Sequence, residues 1–118
     1  MNANLRKMIA VSVAALTCSA WGQETAEQEP FPKELLGNPE YIEIGKEVFG
    51  KICQYCHGKT VYPGKAPKLN PVRYTPEFVF GRVTNGFRAM PSFKETFSEK
   101  ERQGVTVYVL SQEFSNHP

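Results

Sequence analysis

The sequence predicts a small all-α domain with three main helices. Apolar residues recur every three to four positions in three segments, and residues that favour helix ends stand beside each segment. The connections between these segments are rich in proline and glycine, which disfavour regular structure. At 118 residues, the chain has the length of a single domain.

The first helix is predicted over residues 39–53. Asn38 is a preferred N-cap, and Pro39 suits the first helical position because the N–H that proline lacks would have no helical partner there. The apolar positions that follow at helical spacing are Tyr41, Ile44, Val48, Phe49 and Ile52.

The second helix is predicted to begin at Thr75-Pro76 and to end at Asn85-Gly86, after a proline-rich loop over residues 59–70. A capping box at Ser98 and Glu101 opens the last helix, which is predicted to run to Ser111. Residues 105–110 are rich in β-branched side chains, so a strand is the local alternative. The cap and the i, i+3, i+4 apolar pattern favour helix.

One pentapeptide reads Cys-Gln-Tyr-Cys-His and ends at His57, which is the pattern that attaches a c-type haem. Each thiol can form a thioether to a porphyrin vinyl group, and the histidine can then bind the iron. A Cys-x-x-Cys pair also occurs in redox disulfides and zinc sites. The zinc alternative needs two more ligands, for which only Cys18 and His117 remain. The motif predicts one covalent haem c on Cys53 and Cys56.

Residues 1–22 have the three regions of a secretory signal: a positive start, a nine-residue apolar run and a small-residue cleavage site ending at Gly22. The apolar run is too short to span a bilayer comfortably. We therefore expect export to the periplasm, with no stable membrane insertion after cleavage. A retained N-terminal anchor and a lipoprotein acceptor at Cys18 are the alternatives.

Cleavage after Gly22 leaves an acidic, proline-bearing segment, which predicts a flexible leader over residues 23–37 and a domain over 38–118. Cys18 is removed with the signal, and both remaining cysteines then belong to the haem motif. A cysteine pair with no spare thiol suits an oxidising compartment.

The order of helices and motif resembles a class I cytochrome c, from about residue 38 to residue 111. The resemblance implies three main helices wrapped around one haem, with the first and last helices crossing nearly at right angles. The positions that match the family's crossing are Gly45 and Phe49 on the first helix and Val105 and Tyr108 on the last. Gly104 lowers helix propensity, and it either admits closer contact at the crossing or is tolerated there.

The resemblance also implies a second axial ligand. In the family a glycine-rich turn leads to Met-Pro, and residues 85–91 read Asn-Gly-Phe-Arg-Ala-Met-Pro. Met90 is the only methionine after the signal segment. A thioether ligand raises the reduction potential and occupies the position that oxygen would need. Met90 is therefore the expected partner of His57 on the iron, and His117 is the other candidate.

Further haem contacts are implied by the same resemblance. Pro67 matches the loop proline whose carbonyl accepts the N–H of the proximal imidazole, a bond that fixes the ring. Leu69 is expected to pack on the haem edge. The propionates need hydrogen-bond donors, and the candidates are Arg73, Tyr74 and Arg82.

Charge is segregated along the chain. Residues 23–50 hold seven glutamates and two lysines, whereas residues 51–94 hold eight basic side chains and one glutamate. The basic segment encloses the predicted haem site, so it would steer an acidic redox partner. Nucleic-acid binding is not expected, because the basic residues are not interleaved with a stacking platform.

The resemblance implies a single-electron carrier that performs no bond chemistry and is therefore not an enzyme. The alternatives are a haem c enzyme or gas sensor with an open sixth position, and a dedicated electron-transfer subunit of one dehydrogenase. By analogy with short cytochromes, the expected partners are a quinone-cofactor alcohol dehydrogenase or a terminal oxidase.

Overall fold

The computed structural model describes residues 30–58 and 65–115 of the chain. Within them lie five α-helices: α1 (Pro39–Val48), α2 (Gln54–His57), α3 (Pro76–Asn85), α4 (Glu99–Val109) and α5 (Gln112–Ser115). A wide π-helical turn, Phe49–Cys53, joins α1 to α2, and short 3-10 turns occupy Lys33–Leu35 and Pro71–Arg73. The all-α prediction is confirmed, and α4 excludes the strand alternative for residues 105–109.

The predicted helix starts carry the hydrogen bonds expected of N-caps. The Asn38 side chain accepts from the Glu40 N–H at 2.9 Å, and the Thr75 hydroxyl accepts from the Phe78 N–H at 3.2 Å. At α4, the capping box is complete in both directions between Ser98 and Glu101. These side chains satisfy backbone N–H groups that a helix cannot pair within itself.

The centre of the fold is the crossing of α1 and α4, where two glycines face each other. A Cβ atom added to Gly45 would lie 2.1 Å from the Gly104 carbonyl oxygen. A Cβ on Gly104 would lie 2.7 Å from the Ile44 side chain and 3.1 Å from the Gly45 nitrogen. Gly104 therefore serves close contact at the crossing, which decides between the two alternatives left by the sequence.

Three aromatic rings fill the space beside this crossing. Phe49 and Tyr108 meet edge to face with their centroids 5.7 Å apart, at the positions that the resemblance implies. Phe114, from the short helix α5, contacts both rings at 5.2 and 5.3 Å and is fully buried. Aromatic pairs in this arrangement contribute about 0.5–1.5 kcal/mol each beyond their burial.

The predicted flexible leader over residues 23–37 needs correction from Pro30 onward. Phe31 is only 3% exposed and packs on Phe80 of α3 with the ring centroids 5.6 Å apart. Arg102 of α4 lies 5.5 Å from the Phe80 ring and donates to the Thr84 hydroxyl at 2.9 Å. Burial of one large ring thus joins this segment to the domain, while residues 23–29 and the predicted signal lie outside the described residues.

Two helix ends differ from the prediction. The first helical stretch does not stop at Cys53 but continues through the wide turn to His57. The last main helix ends at Val109 rather than Ser111, because Leu110 closes it and the Ser111 hydroxyl bonds the Tyr108 carbonyl at 2.7 Å. In the described part of the chain, no helix has the length and apolarity needed to cross a membrane.

Candidate functional site

The wide turn between α1 and α2 sets the direction of the cysteine motif. The Gln54 N–H donates to the Phe49 carbonyl, five residues back, instead of the four of an α-helix. Phe49 points into the core, whereas Cys53 is half-buried and Cys56 is exposed. The turn therefore directs Phe49 into the core, places Cys53 at the edge of that core and leaves Cys56 exposed.

His57 ends α2 and is held by the following loop. Its Nδ1 atom lies 3.2 Å from the carbonyl oxygen of Pro67. The pKa of His57 is lowered by burial, and the Pro67 carbonyl opposes this shift. A neutral imidazole that donates from Nδ1 leaves Nε2 free as a metal ligand.

The two thiols differ in their surroundings. Burial raises the pKa of Cys53 to about 11, so its thiolate is disfavoured there.

Among residues 30–58 and 65–115, no cluster of three histidine, cysteine or acidic side chains could hold a metal ion. The zinc alternative therefore finds no third ligand in that part of the chain, and Cys18 and His117 both lie outside it.

The loop after the motif folds back on α2. The Ala66 N–H donates to the Cys56 carbonyl at 2.8 Å, and the Tyr74 hydroxyl donates to the Lys68 carbonyl at 3.4 Å. Leu69 and Tyr74 are partly buried against the same core as Cys53. Three of the predicted site residues are thus gathered on one apolar surface.

Met90 also packs on that core and closes a tight turn. Its N–H donates to the Phe87 carbonyl at 3.0 Å, and its carbonyl accepts from the Phe87 N–H at 2.9 Å. Arg88, inside the turn, has a φ of 53°, in the left-handed region. Gly86 precedes the turn with a φ of 73°, and a Cβ there would lie 2.5 Å from the Met90 carbonyl oxygen.

The segment after Met90 is fixed to α3 as well. The Ser92 hydroxyl donates to the Thr84 carbonyl at 2.6 Å, and the Phe93 N–H donates to the Val83 carbonyl at 3.1 Å. Phe93 is itself buried. Hydrogen bonds therefore fix the backbone on both sides of Met90, at the turn before it and at Ser92 and Phe93 after it.

The candidate propionate donors lie in different surroundings. Arg73 is exposed at the end of its 3-10 turn. Tyr74 is stacked on Phe78 with the centroids 5.3 Å apart. The Arg82 guanidinium carbon lies 4.9 Å from the Phe78 ring centroid and 3.8 Å from that of Phe87. The sequence analysis did not name Phe87 as a site residue. Its place in the turn that leads to Met90 was the one sequence feature that could have indicated it.

The residues present fit a covalent porphyrin. Two thiols one turn apart precede a histidine whose orientation is fixed, and a thioether is anchored on the same core. Large apolar side chains next to these groups remain partly exposed, with Ile52 at 37% and Phe78 at 44%. Apolar surface of this kind, in so small a domain, suits contact with a flat apolar ring.

A protein-family model matches the part of the chain that contains the candidate site. The model described as cytochrome c oxidase, cbb3-type, subunit III matches residues 40–109. This range contains the motif, the Met90 turn and the helices that cross. It covers more than half of the chain.

Individual proteins also match the chain. A cytochrome c6 of Leptolyngbya boryana is 36% identical over 75 residues, which is 58% of this chain and 88% of the relative. The quinohemoprotein alcohol dehydrogenase ADH IIB of Pseudomonas putida is 30% identical over 97 residues, or 78% of this chain. The match covers only 14% of that dehydrogenase, so the chain spans about one seventh of its length.

A solved structure has a similar arrangement of helices. The cytochrome c6 from the diatom Phaeodactylum tricornutum superposes with a TM-score of 0.53 and 28% identity. The superposition covers 58% of this chain and 90% of that chain. The sequence and the structure comparisons thus both find similarity to c-type cytochromes.

Proposed function

The chain belongs to the c-type cytochrome family described as cytochrome c oxidase, cbb3-type, subunit III, and we propose that it is an exported carrier of single electrons with His57 and Met90 as axial ligands. Membership in this family means that a haem c is bound covalently, and Cys53 and Cys56 stand at the attachment positions. The fold is that of the class I cytochromes c, as expected. The haem supplies an iron that is oxidised and reduced by one electron.

The observation that carries the proposal is the fixed Met90 turn. Two backbone hydrogen bonds close the turn, and the Gly86 backbone approaches it so closely that a Cβ there would lie 2.5 Å from the Met90 carbonyl oxygen. On the other side of the motif, Pro67 holds the His57 ring. Ligands held by backbone in this way keep their places in both oxidation states, which favours rapid electron transfer over binding of a substrate at the iron.

The ligand assignment is tested on the purified oxidised protein. We expect the sulfur-to-iron charge-transfer band in the wild type, its loss in Met90→Ala, and a lower reduction potential in that variant. The variant His117→Ala is the matched control and should keep the band. A wild type without the band, or a Met90→Ala variant that keeps it, contradicts the assignment.

The same variant separates a carrier from an enzyme or gas sensor. In the reduced state, a protein with both axial positions filled binds carbon monoxide slowly or not at all, whereas reduced Met90→Ala has one position open and should bind it readily. Fast binding of carbon monoxide by the wild type supports the alternative of an open sixth position.

A second candidate is a dedicated subunit of one dehydrogenase, and the match to part of a quinohemoprotein alcohol dehydrogenase favours it. The proposed donors and acceptors are therefore a quinone-cofactor alcohol dehydrogenase and a terminal oxidase. Gel filtration with each candidate distinguishes the two modes. A diffusing carrier elutes alone at physiological salt, and a subunit co-elutes at fixed stoichiometry.

Periplasmic location belongs to the same proposal, on the strength of residues 1–22. The N-terminus of the mature protein is expected at Gln23, and mass spectrometry of the periplasmic fraction measures it. An N-terminus at Met1 in the membrane fraction indicates a retained anchor. A lipid-modified Cys18 indicates a lipoprotein.

A further inference from the structure

Arg102 of α4 is a buried cation without a carboxylate partner among the described residues. It is 9% exposed, and none of the ion pairs within residues 30–58 and 65–115 involves it. Its Nε atom is also buried and has no hydrogen-bond partner in that part of the chain. Burial of an arginine in this way is unfavourable, because water no longer solvates the charge and no anion replaces the water. An arginine in such surroundings indicates a role beyond packing.

The Arg102 guanidinium contacts the C-terminal end of α3. One of its N–H groups donates to the hydroxyl of Thr84, the second-to-last residue of that helix, at 2.9 Å. The ring of Phe80, one turn earlier in α3, has its centroid 5.5 Å from the guanidinium carbon. The C-terminal end of a helix carries a partial negative charge, since its last carbonyl groups have no partner within the helix. The end of α3 therefore supplies part of the compensation that a carboxylate would give.

The same end of α3 holds the segment that follows Met90. The Ser92 hydroxyl donates to the Thr84 carbonyl at 2.6 Å, and the Phe93 N–H donates to the Val83 carbonyl at 3.1 Å. Thr84 thus bonds the buried arginine through its hydroxyl and Ser92 through its carbonyl oxygen. This pair of bonds links the buried cation to a residue two positions from the proposed iron ligand.

The bond from α4 constrains the last turn of α3. Helix ends fray more easily than helix centres, because fewer backbone hydrogen bonds hold them. Fraying of α3 would displace the Thr84 and Val83 carbonyl groups and release the segment after Met90. The donor that opposes this movement is on α4, which the close approach of Gly45 and Gly104 holds against α1. Hydrogen bonds with a charged donor are roughly twice as strong as neutral ones.

We propose that Arg102 is a positioning residue for the axial ligand. Through Thr84 it fixes the end of α3, and the end of α3 fixes the segment that keeps Met90 in place. An apolar side chain at position 102 would satisfy the packing of α4 but would leave the end of α3 without this link. Arg102 is not among the residues assigned to the haem. The inference rests on the proposed function, because it concerns how the ligand of that iron is retained.

The first test measures how often Met90 leaves the iron. Imidazole binds the oxidised, haem-loaded protein at the sixth position only after Met90 has left, so at saturating imidazole the loss of the sulfur-to-iron band gives the rate of opening. Arg102→Met and Thr84→Val should each raise this rate about fivefold, as expected for the loss of one net hydrogen bond. The double variant should open no faster than the faster single variant, because both changes remove the same link. Thr84→Ser keeps the hydroxyl and should keep the wild-type rate.

Two variants of α4 are matched controls for this test. Lys100→Met removes a positive charge from an exposed position of the same helix, where the lysine pairs with Glu40. Thr106→Val removes a buried hydroxyl that bonds only within α4. Neither change touches the link to α3, so each should leave the opening rate within about twofold of the wild type.

The second test does not depend on the iron ligands. Amide hydrogen exchange, followed by NMR on the reduced haem-loaded protein, compares the Phe93 N–H with the Val48 N–H of α1. We expect Arg102→Met to speed exchange at Phe93 about fivefold and to leave Val48 unchanged, because only the end of α3 is loosened. Equal acceleration at both amides means that the whole fold is loosened, and no acceleration at Phe93 means that Arg102 does not hold the segment. Either result overturns the proposal.

The two tests separate this inference from the proposed function. A wild type without the sulfur-to-iron band contradicts the ligand assignment, yet hydrogen exchange still shows whether Arg102 holds the segment. A wild type that has the band, with Arg102→Met and Thr84→Val opening no faster than Lys100→Met, overturns this inference alone. If Arg102→Met does not fold, Thr84→Val keeps the arginine and supplies both measurements.

Discussion

Gly45 and Gly104 approach so closely that neither position has room for a side chain. A Cβ on Gly45 would meet the Gly104 carbonyl oxygen at 2.1 Å and the Tyr108 Cβ at 2.4 Å. A Cβ on Gly104 would meet mainly the Ile44 side chain, at 2.7 Å. The first contact is with backbone, which cannot move without separating the helices, and the second is largely with a side chain that can rotate.

Gly45→Ala is therefore expected to destabilise the protein by about 3 kcal/mol or more, because α1 and α4 must move apart. Gly104→Ala should cost less, since the clash is softer and alanine adds about 1 kcal/mol of helix propensity. Urea unfolding of the two haem-loaded variants, monitored by circular dichroism, measures the difference. Equal losses, or a larger loss for Gly104→Ala, contradict the geometry of the crossing.

Gly86→Ala is expected to displace Met90 from the iron. Gly86 has a φ of 73° and a ψ of 178°, a backbone region almost confined to glycine, which costs another residue about 1–3 kcal/mol. The added Cβ would also lie 2.5 Å from the Met90 carbonyl oxygen. The readout is weakening of the sulfur-to-iron band and lowering of the reduction potential. Gly50→Ala is the matched control, because a Cβ there meets nothing within 4 Å, and it should leave the band intact.

Phe31→Ala tests whether the segment before α1 is part of the folded domain. Removal of this buried ring from its contact with Phe80 should lower the free energy of unfolding by about 3 kcal/mol. Leu36→Ala, at an exposed position of the same segment, should change it by about 0.5 kcal/mol or less. A similar small effect of both variants would restore the segment to the leader that the sequence predicted.

Glu101 contributes stability that depends on pH. Hydrogen bonds from the Ser98 N–H, at 2.8 Å, and from the Ser98 hydroxyl lower the pKa of this carboxyl. A lowered folded-state pKa stabilises the fold above the unfolded-state pKa, and this stabilisation is lost as pH falls through the folded-state value.

Glu101→Gln should therefore be less stable than wild type at pH 7, and the gap should narrow as the solution is acidified below the ordinary range of glutamate. Thermal midpoints from neutral to acidic pH measure this. Glu95→Gln removes the same charge at an exposed position before α4 and is the charge-matched control. A constant gap at all pH values would mean that the capping carboxyl does not titrate with folding.

Local sequence signals predicted the helices well, because each signal acts within a few residues. Asn38, Thr75 and Ser98 bond the N–H groups just beyond them, and Gly86 ends α3 with a positive φ. The role of Gly45 and Phe49 in a helix crossing could be predicted only through the family resemblance. The glycine against which Gly45 packs lies 59 positions further along the chain, at residue 104. Spacing alone cannot show which helices cross.

Other features depend on tertiary contacts that carry no local signal. Phe31 follows a proline-rich acidic stretch and looks like linker, but it is buried because Phe80 and Arg102 offer a surface for it. Phe114 stands after the last predicted helix, yet its ring completes the cluster with Phe49 and Tyr108.

The wide turn at Phe49–Cys53 has a consequence for transplanting the haem motif. Removal of one residue from it would restore α-helical pairing and rotate both cysteines and His57 by about 100° relative to the buried face of α1. Transfer of the pentapeptide alone to another helix would therefore not place the haem correctly. A host helix that receives it must also receive the turn from Phe49 onward, or the porphyrin would be attached on the wrong side of the host.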